Sequence, residues 1–150
     1  MEQVANQIRS LVDHWKHRLA RVNGTQARHK QTLDRWSIAE VVGHLVDSAN
    51  NNYQRIVRGQ TDDRDLRFVN YDQNHWVKVG DYNAFEWRSL VELWTLANEQ
   101  IAHVIARFPE THLSTLCVLS DCEPCDMRFI IDDYLSHLEH HLRKLEARLF

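Results

Sequence analysis

The chain has 150 residues, a formal net charge of −3, 43% hydrophobic residues, ten histidines, four glycines and two prolines. That length suits one domain spanning 1–150 with a real core, and the apolar share excludes a disordered chain. The small negative charge gives no electrostatic reason to expect nucleic acid as a partner.

So little glycine and proline favours long helices over a sheet-rich fold. The opening stretch MEQVANQIRS lacks the charged-then-apolar plan of a secretory signal. No apolar run approaches membrane-spanning length. With three cysteines, an odd number, and no signal, the expected compartment is the reducing cytoplasm.

A first helix is predicted over about residues 3 to 21, with Val4, Ile8, Leu11, Val12, Trp15 and Leu19 on one face. Trp15 marks its core side, so His14 and His17 read as surface. Asn23-Gly24-Thr25 would end it through a glycine near the C-cap, leaving residues 24 to 35 as polar loop.

The second helix has a strong start signal. Ser37-Ile38-Ala39-Glu40 is a capping box, with Trp36 and Val41 in staple positions, and the helix runs to about Arg58. Ile38, Val41, Val42, Leu45, Ala49 and Ile56 form its core face. Beside that face runs a polar row of His44, Ser48 and Asn51, with Asn52 adjacent. Such a row is either solvated rim or the lining of a pocket.

Residues 60 to 82 show no long period. They carry charge (Asp62, Asp63, Arg64, Asp65, Arg67) and aromatics (Phe68, Tyr71, Trp76, Tyr82), with room for a short helix near 72 to 78. Long ordered connections often border sites. His75 lies here and reads as a loop residue. A third helix is expected from Asn83-Ala84-Phe85-Glu86, a box of capping type, through Leu90, Leu93, Trp94, Ala97, Ile101 and Val104 to Phe108, where Pro109 stops it. The fourth is expected from about Asp126 to Leu149. The fold class is therefore all-α, a four-helix bundle with a long crossover connection between helices two and three.

The fourth helix concentrates the chemistry. Its apolar stripe runs through positions 131, 135, 138, 142, 145 and 149, and His137 and His141 lie four apart, so both imidazoles point the same way. At roughly 100° per residue they flank the stripe, whereas His140 points to solvent. The pair is either a metal claw or two histidines on a wet face. His44 is a third histidine at the edge of a core stripe.

Other constellations are weaker. Glu-x-x-His and His-Glu-x-x-His motifs are absent, which argues against a di-iron bundle and a zincin. Cys122-Glu123-Pro124-Cys125, with Cys117 and His112 upstream, suits a structural zinc, a redox pair or ordinary thiols. No glycine-rich phosphate loop and no nucleophile elbow is present.

Trp36-Ser37-Ile38-Ala39-Glu40, Gly43-His44-Leu45-Val46-Asp47-Ser48, and Asp133-Tyr134 ahead of His137-Leu138-Glu139-His140-His141-Leu142 resemble the DinB/YfiT-like superfamily. Tyr71-Asp72-Gln73 with Trp76, and Leu93-Trp94 with Asn98, resemble it too. The resemblance spans most of the chain. It implies a four-helix bundle with a crossover after helix two, a homodimer, and three histidine ligands mapping onto His44, His137 and His141. Relatives include S-transferases and isomerases that use a low-molecular-weight thiol, and proteins named as metal-dependent hydrolases. The Cys-x-x-Cys lies outside the family pattern.

Three protein nitrogens leave a coordination position open, as catalytic zinc sites do. Imidazole suits zinc, nickel or another divalent transition metal equally. The expected function is a metal-dependent enzyme doing thiol S-transfer or hydrolysis on a small-molecule substrate, with Ser48, Asn51 and Asn52 lining its pocket. Asp47 points away from that row and reads as a supporting group. The alternatives are a non-catalytic metal-binding or stress-response module, and a bundle without metal.

Overall fold

Ser37 fixes the start of the helix on which the rest is arranged. Its hydroxyl accepts from the Glu40 amide at 3.1 Å, and the Glu40 carboxylate accepts from the Ser37 amide at 2.7 Å. Both ends of the box are therefore made, as the sequence predicts. The computed structural model describes residues 1–32, 34–61, 66–120 and 123–149.

Four long helices form the bundle: α1 (Glu2–Leu19), α3 (Ile38–Arg58), α5 (Trp87–Ala106) and α6 (Met127–Leu149). Helix α5 packs against α1 and α3, and α6 packs against the same two. Going round the bundle the order is α1, α5, α3, α6, so the consecutive long helices α1 and α3 are not neighbours. The link from α3 to α5 is the long crossover. It contains β1 (Leu66–Phe68) and α4 (Gln73–Gly80), and α4 lies against α3. The short helix expected near 72 to 78 is this α4, opened by Asp72, whose side chain accepts from the amides of Asn74 and His75. The expected core face of α3 is buried throughout, from Ile38 to Ile56.

Several expectations need correction. Residues 24 to 35 are not all loop. Gly24–Arg28 forms a short helix, α2, capped by a reciprocal box of Asn23 and Gln26. Helix α1 ends at Leu19, two residues early, and Gly24 opens α2 instead of closing α1. The third long helix starts at Trp87, not near residue 83, with the Glu86 carboxylate accepting from the amides of Arg88 and Ser89. Asn83 is occupied elsewhere: its Oδ1 accepts from the Ser37 hydroxyl at 2.7 Å. Leu93, placed on the core face, is 41% exposed.

The chain also holds a small sheet. β1 pairs in parallel with β2 (Leu116–Leu119), and β2 pairs antiparallel with β3 (Cys125–Asp126). A turn of 3₁₀ helix, Glu110–His112, precedes β2. The sheet ties the α3–α5 crossover to the α5–α6 link, and β3 runs directly into α6. The run of charge from Asp62 to Asp65 and the residue Cys122 lie outside the described residues. Among the described residues, no helix is long and apolar enough to cross a membrane.

Candidate metal centre

Helices α3 and α6 are neighbours, so a residue on the α6-facing edge of α3 meets the matching edge of α6. His44 takes that place on α3, and His137 and His141 take it on α6, one turn apart. The three form one group whose ligand atoms all lie within 4.8 Å of one another. His44 Nε2 and His137 Nε2 are 3.2 Å apart. Two nitrogens on one tetrahedral ion, each at about 2.0–2.1 Å, would be separated by roughly 3.3 Å. The ring of His141 lies 4.7 Å from that of His44 and 4.5 Å from that of His137. His140 is exposed, as its phase on the helix predicts. His14, His17 and His75 are exposed too, and among the described residues the group takes in none of them.

The electrostatics suit a ligand set. Burial, then the neighbouring His137, pushes His44 down to about 4. His141 falls to about 3, through burial first and then through His137, His44, His140 and Lys144. His137 is lowered by burial although Asp133 pulls it upward. All three imidazoles are therefore neutral at pH 7, the form that carries a free lone pair. Three converging neutral nitrogens fit a divalent transition metal.

Ser48, one turn after His44, bears on ligand orientation. Its Oγ lies 3.4 Å from His137 Nδ1. A proton on Nδ1 pointing at Ser48 leaves Nε2 as the lone-pair nitrogen, the usual way an outer partner sets the tautomer of a ligand histidine. Asn52 donates to the Ser48 carbonyl at 3.0 Å and approaches its hydroxyl at 3.4 Å. Asn51 donates to the Asp47 carbonyl at 2.9 Å and borders a cavity of about 220 Å³ with Arg55, Arg58, Phe68 and Trp76. Arg55 continues the row, reaching Asn70 Oδ1 at 3.1 Å. A larger cavity of about 430 Å³ lies elsewhere, walled by Arg18, Arg21, His29 and Arg148, and none of the three histidines borders it.

Tyr71, Trp36 and Tyr134, which belong to the stretches that carry the family resemblance, surround the group, although no spacing rule places them there. Tyr71 packs against Trp76 at a tilt of 48°, with ring centres 4.8 Å apart. Burial and then the charge of Asp47 hold its hydroxyl protonated, and Ser48 and Arg55 act on it in the opposite sense. Trp36, read as a staple, lays its ring 5.1 Å from that of His44. Tyr134, one turn before His137, donates to Asn98 Oδ1 at 2.6 Å and joins α6 to α5 in the core. Asp47 is buried and accepts from the Tyr82 hydroxyl at 2.6 Å, so it supports the site from behind. Of the cysteines, Cys117 and Cys125 face each other in the sheet with sulfurs 3.8 Å apart, and neither belongs to the histidine group.

An all-α bundle with a long crossover and three histidines converging from two adjacent helices defines a class of metal-binding helical domains. The family model described as DinB superfamily matches residues 7–145, and the chain belongs to that family. A protein of Halalkalibacterium halodurans named "Putative metal-dependent hydrolase" is 24% identical over 114 residues, covering 76% of this chain and 66% of that one, just under two thirds of its length. YfiT of Bacillus subtilis, described as a probable metal-dependent hydrolase with an unusual four-helix bundle topology, superposes with a TM-score of 0.83 at 17% identity, over 98% of this chain and 86% of that one. A mycothiol-dependent maleylpyruvate isomerase superposes with a TM-score of 0.74 at 12% identity, over 94% of this chain but 59% of that one. At such identities these two structures show a common fold.

Proposed function

We propose that this chain is a metal-dependent enzyme in which His44, His137 and His141 hold a divalent cation with an open position, and that it acts on a small molecule by thiol transfer or hydrolysis. The observation that carries the reading is the convergence of three neutral imidazoles from α3 and α6 within 4.8 Å. When bound, the cation supplies a positive centre that lowers the pKa of a thiol or water at its open position to near neutrality. The chain's own residues do the rest. Ser48 orients His137. Tyr71, held protonated, offers a hydrogen-bond donor to an oxygen of the substrate. Asn51 and Asn52 line the approach along α3. The names of the similar proteins point both ways, to hydrolysis and to thiol-dependent isomerisation.

The test is a screen of the metal-loaded protein with cellular thiols plus electrophiles, against a parallel set of esters and amides. Thiol-dependent turnover selects transfer, and turnover without thiol selects hydrolysis. Activity in neither set, with metal bound in full, favours the second reading, a metal-binding module without catalysis. Cobalt-loaded protein with Cys117, Cys122 and Cys125 all replaced by serine gives a direct view: sulfur-to-metal absorption appearing only with added thiol supports transfer.

A cytoplasmic homodimer completes the proposal. Resemblance to the family supports it, as do Leu93 and Leu96, exposed on α5. Sedimentation at several concentrations decides it, and a monomer throughout removes it.

A further inference from the structure

Outside the histidine centre, the hairpin that leads into α6 holds a second reactive cluster. Cys117 on β2 and Cys125 on β3 are direct partners in the antiparallel register. Directly opposed residues have Cβ atoms about 4.5–5.5 Å apart, close to the 3.5–4.5 Å that a disulfide spans. Their sulfurs already approach to 3.8 Å. A bond of about 2.05 Å therefore needs only a side-chain turn and a small strand adjustment. Cys117 is buried, whereas Cys125 is partly open.

We propose that Cys117 and Cys125 are a dithiol modification site that closes to an intramolecular disulfide by exchange with a low-molecular-weight disulfide. The burial pattern sets the order of events. The Cys125 thiolate attacks one sulfur of the small disulfide RSSR. Its S–S bond breaks, RS⁻ leaves and takes up a proton, and Cys125 carries the SR group. The Cys117 thiol then loses its proton to solvent and attacks Cys125 Sγ, and the second RS⁻ leaves. Two protein thiols are oxidised, and one RSSR is reduced to two RSH. Cys117 suits the second step and not the first, because burial and then the neighbouring Cys125 hold its thiol up at about 12. Access favours the other sulfur for attack on a bulky reagent.

The link would staple β2 to β3 at the base of α6. Hydrogen bonds from the Met127 amide to the Thr115 carbonyl at 3.1 Å, and from the Arg128 amide to the Leu113 carbonyl at 3.0 Å, already join that base to the hairpin. Although the closed loop is short, which keeps the gain small, the oxidised chain should melt higher by roughly 5 °C.

The experiment uses the full chain with Cys122→Ser, so that only the two opposed thiols remain. It is treated with oxidised glutathione, alkylated under denaturing conditions and weighed. The expected result is loss of both titratable thiols, no retained glutathione, and a monomer on a non-reducing gel. Two surviving thiols, one stably retained glutathione, or a disulfide between chains would overturn the proposal. The Cys117→Ser, Cys122→Ser chain should trap one glutathione on Cys125, and failure to take it up overturns the assigned order. In the unaltered chain, peptide mapping should join residues 117 and 125, and a link between 122 and 125 in its place counts against the pairing.

Discussion

The ring of Tyr82 fills the space that a side chain on Gly43 would take: a Cβ built there falls 2.0 Å from Tyr82 Cδ2. The glycine, in the second turn of α3 and next to His44, is what lets Tyr82 reach Asp47 at 2.6 Å. In an ordinary helix interior, glycine to alanine stabilises by about 1 kcal/mol. Here the sign reverses. Gly43→Ala must displace the tyrosine and leave a buried carboxylate without its donor, for a loss of about 2–4 kcal/mol. Urea denaturation measures it, and a gain in stability would show that the ring moves aside freely. Tyr82→Phe, which keeps the ring and removes the donor, should lose about 1.5–3 kcal/mol.

Ser37→Ala should cost about 1–2 kcal/mol. The serine caps α3 through the Glu40 amide, and the same hydroxyl donates to Asn83. Asn83→Ala removes only the second bond and should cost less. An equal loss for the two variants would assign the effect to the crossover contact and not to the cap.

The start of α3 and the shared direction of His137 and His141 are legible in the sequence because both rest on local rules, whereas the joining of His44, 93 positions from His137, is what the family resemblance implies. Ser37 and Glu40 are three apart, and His137 and His141 are four apart, so helical geometry alone sets their directions. The start of α5 is not legible in the same way. Asn83 is the better capping residue by type, but its side-chain Oδ1 is taken by the Ser37 hydroxyl, 46 positions away in sequence, and Glu86 caps instead. The sheet escapes for a related reason. Leu66 pairs with Cys117 across the whole of α4 and α5, through strands of three and four residues that are too short to show a period. Tyr71 belongs to the crossover, and only the docking of that segment on α3 brings it to Ser48.

Metal retention should separate the three histidines from His140. His44→Ala, His137→Ala and His141→Ala should each lose most bound metal after dialysis, measured by elemental analysis, while His140→Ala keeps it. Ser48→Ala should weaken retention by roughly 10- to 100-fold if its hydroxyl sets the His137 tautomer. Full retention in Ser48→Ala would leave the 3.4 Å contact without that role.

Stability of the metal-free chain should fall as pH is lowered from 7. In the unfolded chain the histidines take up protons near 6.5, while in the folded chain His44 stays neutral to about 4 and His141 to about 3. Between those values the unfolded state binds more protons, so unfolding becomes easier with every step down in pH. The loss therefore begins near pH 6.5 and runs on until the folded histidines themselves protonate. A bound cation competes with the same protons and binds only the folded cluster, so loading with zinc should raise the melting temperature at pH 7. That increment should shrink as the pH approaches 5. Replacing His44 and His141 together by glutamine removes two titrating groups, and the melting temperature should then change less between pH 7 and pH 5 than in the unaltered metal-free chain. An unchanged slope in that double variant would place the acid sensitivity at other groups.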